Sequence, residues 1–221
     1  MSRSPINDRA IVEYALAHST GPDEIQQALI DATSAATGSA AGMQISPLQG
    51  AFMSILTSVL RPAFAVEVGT FTGYSALAVA RALPPGGRLL CCDISEEWTA
   101  IGRQSWEKAG VADRIELRIG PAIDTLKSLP PIRTVDLAFI DADKVGYRDY
   151  YEELLPRLSP TGVILVDNTL WSGTVLDETA TEKDTVALRD FNDHVCADPR
   201  SEVALLPLGD GVTMIRRTGT S

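Results

Sequence analysis

From Ala63 onward the chain alternates short apolar, β-rich runs with longer helix-like segments, and this repetition constrains the fold more than any other feature. The runs are Ala63–Val68 (AFAVEV), Arg88–Asp93 (RLLCCD), Ile115–Ile119 (IELRI), Val135–Asp141 (VDLAFID) and Gly162–Asp167 (GVILVD). Most are nearly continuous in apolar residues, the pattern of strands covered on both faces of a parallel sheet. Between them lie Tyr74–Leu83, Glu96–Ala109, Pro121–Leu129 and Tyr147–Leu158, each long enough for roughly two to four helical turns. Gly86-Gly87, Gly110, Pro130-Pro131 and Pro160-Thr161-Gly162 punctuate the ends. Strand–helix–strand repetition of this kind folds into a doubly wound, Rossmann-like α/β sheet with right-handed crossovers.

The two ends of the chain depart from the repeat. Glu202–Leu208 and Gly211–Arg217 are strand-like runs separated by Gly209-Asp210, a tight antiparallel hairpin. A mostly parallel sheet finished by an antiparallel strand is the class I methyltransferase pattern rather than that of dinucleotide dehydrogenases. Before Ala63 the pattern is helical, over Asp8–His18, Asp23–Ala36 and Pro47–Leu60, with a small-residue stretch, Thr37–Gly42, expected as a loop. One domain over residues 1–221 is expected, with 1–60 as a helical cap segment and 61–221 as the α/β core.

Composition excludes some classes. No run of about 18 apolar residues is present, so no membrane span is expected. The first residues, MSRSPINDRA, lack a signal-peptide core, and a cytoplasmic location is the expectation. Cys91, Cys92 and Cys196 have no metal-type spacing and read as reduced structural thiols. The net charge of −10, from 29 acidic and 19 basic residues, opposes general nucleic-acid binding.

The first strand leads into VEVGTFTGYS, residues 66–75, which opens a helix. Gly69 and Gly73 allow a tight turn and close approach of a ligand, and the helix start offers free N–H groups. The spacing is E-x-G-x-x-x-G, not the G-x-G-x-x-G built around a pyrophosphate. Glu67 would oppose a pyrophosphate, but it can serve the cationic amino-acid end of S-adenosylmethionine. Asp93, twenty residues beyond Gly73 at the end of the second strand, can accept the ribose hydroxyls. Gly120-Pro121-Ala122 ends the third strand, where a residue can line the adenine edge.

Asp141 and Asp167-Asn168 end the fourth and fifth strands, one strand–helix repeat apart. A parallel sheet brings them to one carboxyl edge, about 5 Å apart if the strands are neighbours. Two carboxylates and the Asn168 carbonyl make a hard oxygen triad suited to Mg²⁺, or to another divalent cation such as Ca²⁺ or Mn²⁺. The absence of nearby histidine or thiolate in sequence argues against zinc. Each acid alone also reads as an ordinary turn or cap, and Asp143 is expected to be a helix cap or simply exposed.

MQISPLQGAF (residues 43–52), VEVGTFTGYS, AGVADRIELRIGPA, FIDADK and VDNTLWSG together resemble the cation-dependent O-methyltransferases, the group of the caffeoyl-CoA and catechol enzymes and their bacterial relatives. The resemblance runs from about Met43 to Arg217. It implies S-adenosylmethionine contacts at Ile45, Glu67, Gly69, Thr70, Ser75, Asp93, Ala122 and Asp141. It implies metal ligation by Asp141, Asp167 and Asn168, with Asp141 also touching the cofactor. Lys144 matches the family's catalytic base, and Trp171 would lie along the substrate entrance. Ser172 stands where the plant enzymes have the asparagine of W-N-G, and Thr174–Thr181 lacks their aromatic pair, which argues against coenzyme A thioesters.

The expected activity is therefore divalent-metal-dependent methylation of a hydroxyl on a small catechol-like or phenolic acceptor, in a homodimer. The metal would chelate two vicinal hydroxyls and Lys144 would take a proton. Two alternatives stand beside this. A methyltransferase of hydroxylated uridine in transfer RNA would keep the same residues, and a basic rim would favour it. A non-catalytic binding module would lack one of Asp141, Lys144, Asp167 or Asn168, all of which are present.

Overall fold

The structure is a computed structural model and describes residues 9–219; Asp8 and the rest of residues 1–8 of the expected cap lie outside the described residues. Its centre is a seven-stranded sheet in the order β3-β2-β1-β4-β5-β7-β6. The strands are β1 (Phe64–Val68), β2 (Arg88–Asp93), β3 (Ile115–Ile119), β4 (Val135–Ile140), β5 (Leu158–Val166), β6 (Ser201–Leu206) and β7 (Val212–Arg217). The first five pair in parallel, and β7 runs antiparallel to both β5 and β6. This is the expected sheet, hairpin included.

Alternation along the strands supplies two apolar layers, because successive side chains point to opposite faces. Val66, Val68, Leu90, Cys92, Ala138 and Ile140 pack beneath α6 (Ala122–Ser128), α7 (Tyr147–Leu154) and α8 (Lys183–Ala197), through Leu126, Tyr151, Leu154, Leu188 and Phe191. Ala65, Leu89, Cys91, Leu137 and Phe139 face α4 (Tyr74–Ala82) and α5 (Glu96–Lys108). The neighbouring Cys91 and Cys92 thus enter different layers, and both thiols are free and buried.

The amino-terminal helices are α1 (Arg9–Ala17), α2 (Glu24–Thr37) and α3 (Pro47–Leu60). Leu29 of α2 and Met53 of α3 are buried in the layer with Cys91. A buried hydrogen bond from the Thr33 hydroxyl to that of Thr72, 2.7 Å long, ties α2 to the turn after β1. Asp23 caps α2 in a reciprocal box with Gln26, and Ser46 caps α3 with Pro47 next to it, as helix starts favour.

Several boundaries differ from expectation. Residues 37–42, expected as a loop, lie largely in a 3₁₀ turn over Gly38–Met43. α7 stops at Leu154 in a short 3₁₀ turn, because Pro156 cannot continue the hydrogen-bonding ladder. β5 starts at Leu158, four residues before the apolar run, with a register shift opposite Val135–Leu137. α8 is an element absent from the expectations. Its buried Thr185, Leu188, Phe191 and Val195 repeat at helical spacing, so the signal was local. Among the described residues no helix is long and apolar enough to cross a membrane.

Candidate active site

The carboxyl edge of the sheet faces a cavity of about 1260 Å³. Its position follows from the strand order, since the chain leaves β1 toward β2 on one side and β4 lies on the other. Hydrogen bonds continue the ladder past the strand ends: Gly69 N–H to the Cys92 carbonyl, Asp141 N–H to Val68 and Asp167 N–H to Ile140, at 2.8–2.9 Å. The loops after β1, β4 and β5 are thereby held in register along one rim.

The turn after β1 makes one end of the cavity. Gly69 has φ +88°, and a Cβ there would fall 2.0 Å from the Asp141 carbonyl oxygen. Only glycine lets the two loops approach so closely. Asp93 organises the same turn: one oxygen accepts from Thr70 N–H at 2.8 Å and Phe71 N–H at 2.7 Å, the other from Ser95 N–H at 2.7 Å. Ile45, Gly69, Thr70, Ser75, Asp93 and Ala122, all singled out in the sequence, line the wall. Trp98, edge-on to Phe71 at 5.1 Å between centroids, lines it too and was not foreseen.

Glu67 is the exception. Its side chain points into the layer beneath the turn, is 0% exposed and does not line the cavity. The Cys91 thiol donates to Glu67 Oε1 at 3.8 Å, and Oε2 is buried without a partner. Burial pushes the carboxyl up to about 8, against the pull of the Ser75 and Thr70 hydroxyls beside it. Folding therefore favours its protonated form, so its contribution to stability is full below about pH 4.5 and falls as pH rises toward 8. Glu67→Gln removes that titration. Urea unfolding at a series of pH values should show the variant losing less stability than the wild type between pH 5 and about 8; parallel curves would contradict it.

At the other end stand Asp141, Lys144, Asp167 and Asn168, all on the wall. β4 and β5 are neighbours with Ile140 opposite Val166, so the next residues, Asp141 and Asp167, sit side by side. Lys144, only 8% exposed, donates to Asp141 Oδ1 at 3.1 Å, to Asn168 Oδ1 at 2.6 Å and to the Tyr147 hydroxyl at 2.7 Å. Tyr147 in turn donates to the Asp167 carbonyl at 3.1 Å. Burial raises Asp141 above the ordinary carboxylate range, with the Lys144 ammonium pulling against it. Burial and then the Asp141 charge hold Asp167 at about 7. Two carboxylates share one ammonium in a poorly solvated place, and the shortfall is one positive charge.

Asp143 is the cap foreseen, accepting from Gly146 N–H at 3.0 Å and from the Tyr150 hydroxyl at 2.6 Å. The stretch after β5 is backbone-strained. Asn168, Trp171 and Ser172 all have φ between 45° and 58°, a left-handed region that non-glycine residues seldom occupy. The strain delivers the Trp171 ring to the cavity wall, with its centroid 5.6 Å from the Lys144 ammonium. Gln49, from α3, reaches Asp167 Oδ2 at 2.9 Å. The contacts of Tyr147 and Gln49 with Asp167 were invisible to local reading because Asp167 lies in another segment.

A model of the O-methyltransferase family matches residues 17–218. A probable caffeoyl-CoA O-methyltransferase of Dictyostelium discoideum is 39% identical over 214 residues, 95% of this chain and 92% of its own. A caffeoyl-CoA O-methyltransferase of Nicotiana tabacum is 40% identical over 185 residues, 79% and 77% of the two chains. Among solved structures, an S-adenosylhomocysteine-bound methyltransferase of Podospora anserina superposes with a TM-score of 0.88 at 31% identity, covering 99% of each chain. An O-methyltransferase from Bacillus cereus in complex with S-adenosylhomocysteine gives 0.85 at 30% identity, covering 95% and 97%. With the family model covering nearly the whole chain and relatives of about 40% identity, the chain belongs to the O-methyltransferase family, S-adenosylmethionine-dependent enzymes that include the caffeoyl-CoA O-methyltransferases.

Proposed function

We propose that this protein uses a divalent cation to methylate a hydroxyl of a small catechol-like acceptor, with S-adenosylmethionine as donor. The observation that carries the reading is the meeting of Asp141, Lys144, Asp167 and Asn168 on the wall of a cavity that the glycine turn and Asp93 also line. When bound, S-adenosylmethionine supplies an electrophilic methyl on a sulfonium. A divalent cation, when bound, makes the proton of a hydroxyl it contacts easier to remove.

The residues fit both groups. The unpartnered Glu67 oxygen lies under the Gly69–Ser75 turn; burial favours its protonated form there, and a cationic amino-acid end seated on the turn would favour the charged one. Asp93 Oδ2 is taken by the Thr70 and Phe71 N–H groups, but Oδ1 accepts only from Ser95 N–H and keeps acceptor capacity for a ribose hydroxyl. Asp141, Asp167 and Asn168 are the hard oxygen donors for the cation, Mg²⁺, Mn²⁺ or Ca²⁺, and their missing positive charge supports the assignment. The Lys144 ammonium bonds two of those oxygens, and if they held a cation its nitrogen would be free to face the acceptor. In its neutral amine form Lys144 would take the acceptor's proton and become the ammonium, and Trp171 would cover the entrance with an apolar ring.

Charge decides between acceptors. Asp93, Glu97, Asp141, Asp143, Asp167, Asp184 and Asp210 line the cavity, and Lys144 is its one basic side chain among the described residues. That lining opposes the phosphates of a coenzyme A thioester or a transfer RNA, and it favours free phenols. Labelled donor offered to catechols, flavonoids, hydroxycinnamates and caffeoyl-CoA tests this directly: preference for the thioester would refute the acceptor assignment.

Donor binding has its own test. Asp93→Ala is expected to weaken S-adenosylmethionine at least about tenfold by calorimetry, about the 1.4 kcal/mol of one charged hydrogen bond. Unchanged affinity would remove Asp93 from the donor site.

A further inference from the structure

We propose that Gln49 is a positioning residue that orients Asp167 for the divalent cation and so couples helix α3 to the cation site. The inference rests on the cation reading above. Gln49 and Asp167 are 118 residues apart in sequence, yet the Gln49 amide donates to Asp167 Oδ2 at 2.9 Å, and both side chains are buried. Gln49 is 3% exposed and is the third residue of α3, inside the turn whose N–H groups the Ser46 hydroxyl caps. On its other side a Cβ on Gly209 would come within 2.9 Å of Gln49 Oε1, so the loop between β6 and β7 packs directly on the amide. The side chain is clamped between two backbone segments and has one direction left for its NH₂ group.

Asp167 is consequently held by both oxygens. Oδ1 accepts from Asn168 N–H at 2.7 Å, and Oδ2 accepts from Gln49. Each donor uses one lone pair and leaves the carboxylate plane fixed, the service that outer partners of ligating carboxylates perform. A neutral amide suits this task. It donates without adding charge, so it neither repels a cation nor replaces one. Because the donor stands on α3, holding Asp167 ready also holds α3 against the sheet, and coupling between the two is reciprocal.

The test uses the full-length protein and Mn²⁺ alone, without donor or acceptor, with free Mn²⁺ read by electron paramagnetic resonance. Gln49→Met keeps the length of the side chain and removes the donor. It should weaken Mn²⁺ about 10–100-fold, the usual cost of losing an outer partner of a ligand. In the wild type, Mn²⁺ should also slow hydrogen exchange of the amides of residues 49–53, and in Gln49→Met it should not. Mn²⁺ affinity within about twofold of wild type in the variant overturns the proposal and leaves the cation reading intact. So does wild-type protein that binds Mn²⁺ with no change in α3 exchange. Wild-type protein that takes up no Mn²⁺ overturns the cation reading, and this proposal with it.

Discussion

Lys144→Ala is expected to lower kcat by about 10²–10⁴-fold, the usual worth of a positioned general base, while donor affinity changes little. The expectation comes from where the ammonium sits. Its bonds go to Asp141, Asn168 and Tyr147, at the acceptor end of the cavity and away from the Asp93 turn. The competing account is a structural one, in which Lys144 merely neutralises Asp141 within the rim. That account predicts a stability loss, because two buried carboxylates would lose their ammonium, with a rate that recovers once the protein is folded and saturated with cation. A pH–rate profile separates the two. The wild-type rate should rise with pH in a step that is missing from the variant. If folded, cation-saturated Lys144→Ala keeps a near wild-type kcat, the proton goes elsewhere and the proposed chemistry fails at its central step.

Chelation of divalent cations is expected to abolish turnover, and added Mg²⁺ to restore it. Burial holds the two carboxylates at the ends of β4 and β5 above the ordinary range, the Asp141 charge adds to the effect at Asp167, and the Lys144 ammonium only partly offsets it. Without a cation the Lys144 ammonium would stay on Asp141 and Asn168, two of the proposed cation ligands. The loss should therefore appear in the methyl-transfer step, while calorimetric affinity for S-adenosylmethionine survives in EDTA. Full activity in EDTA would disprove the role of the cation without touching donor binding. Asp167→Ala should mimic EDTA and resist rescue by Mg²⁺, since the defect is then in the ligand set.

A second acidic cluster, outside the cavity, is of another kind. Glu152, His194 and Asp198 lie close enough to hold a metal, yet Arg200 already bonds Glu152 at 2.8 Å and Asp198 at 2.6 Å. Its positive charge is internal, and the Tyr151 hydroxyl donates to Asp198 as well. The contrast with the rim of the cavity is instructive, because the rim has no arginine among its described residues and stays short of charge.

Much of this was legible in the chain itself. Apolar runs of strand length, broken by glycine and proline, specify strands because a strand covered on both faces must be apolar throughout. Once strands and helices alternate, the carboxyl ends of the strands must share an edge, so sequence placed Asp141 and Asp167 on one edge, and the pairing of β4 with β5 makes them neighbours there. Gly69 was legible for a similar local reason, since a turn after a strand that approaches a ligand needs a residue without Cβ. Local spacing also held the signal for α8, although the helix was not among the expectations.

Other features were decided only by tertiary structure. The contact of Gln49 with Asp167 joins residues whose separation carries no periodic signal, and so does the bond from Tyr147 to the Asp167 carbonyl. Glu67 reads from sequence as a wall residue, but strand alternation turns its side chain beneath the sheet edge, where burial raises its pKa and removes it from the cavity surface. Sequence determines periodicity, turn chemistry and hence which groups reach the edge; which of them touch, and how much water they keep, depends on chain segments brought together only when the layers pack.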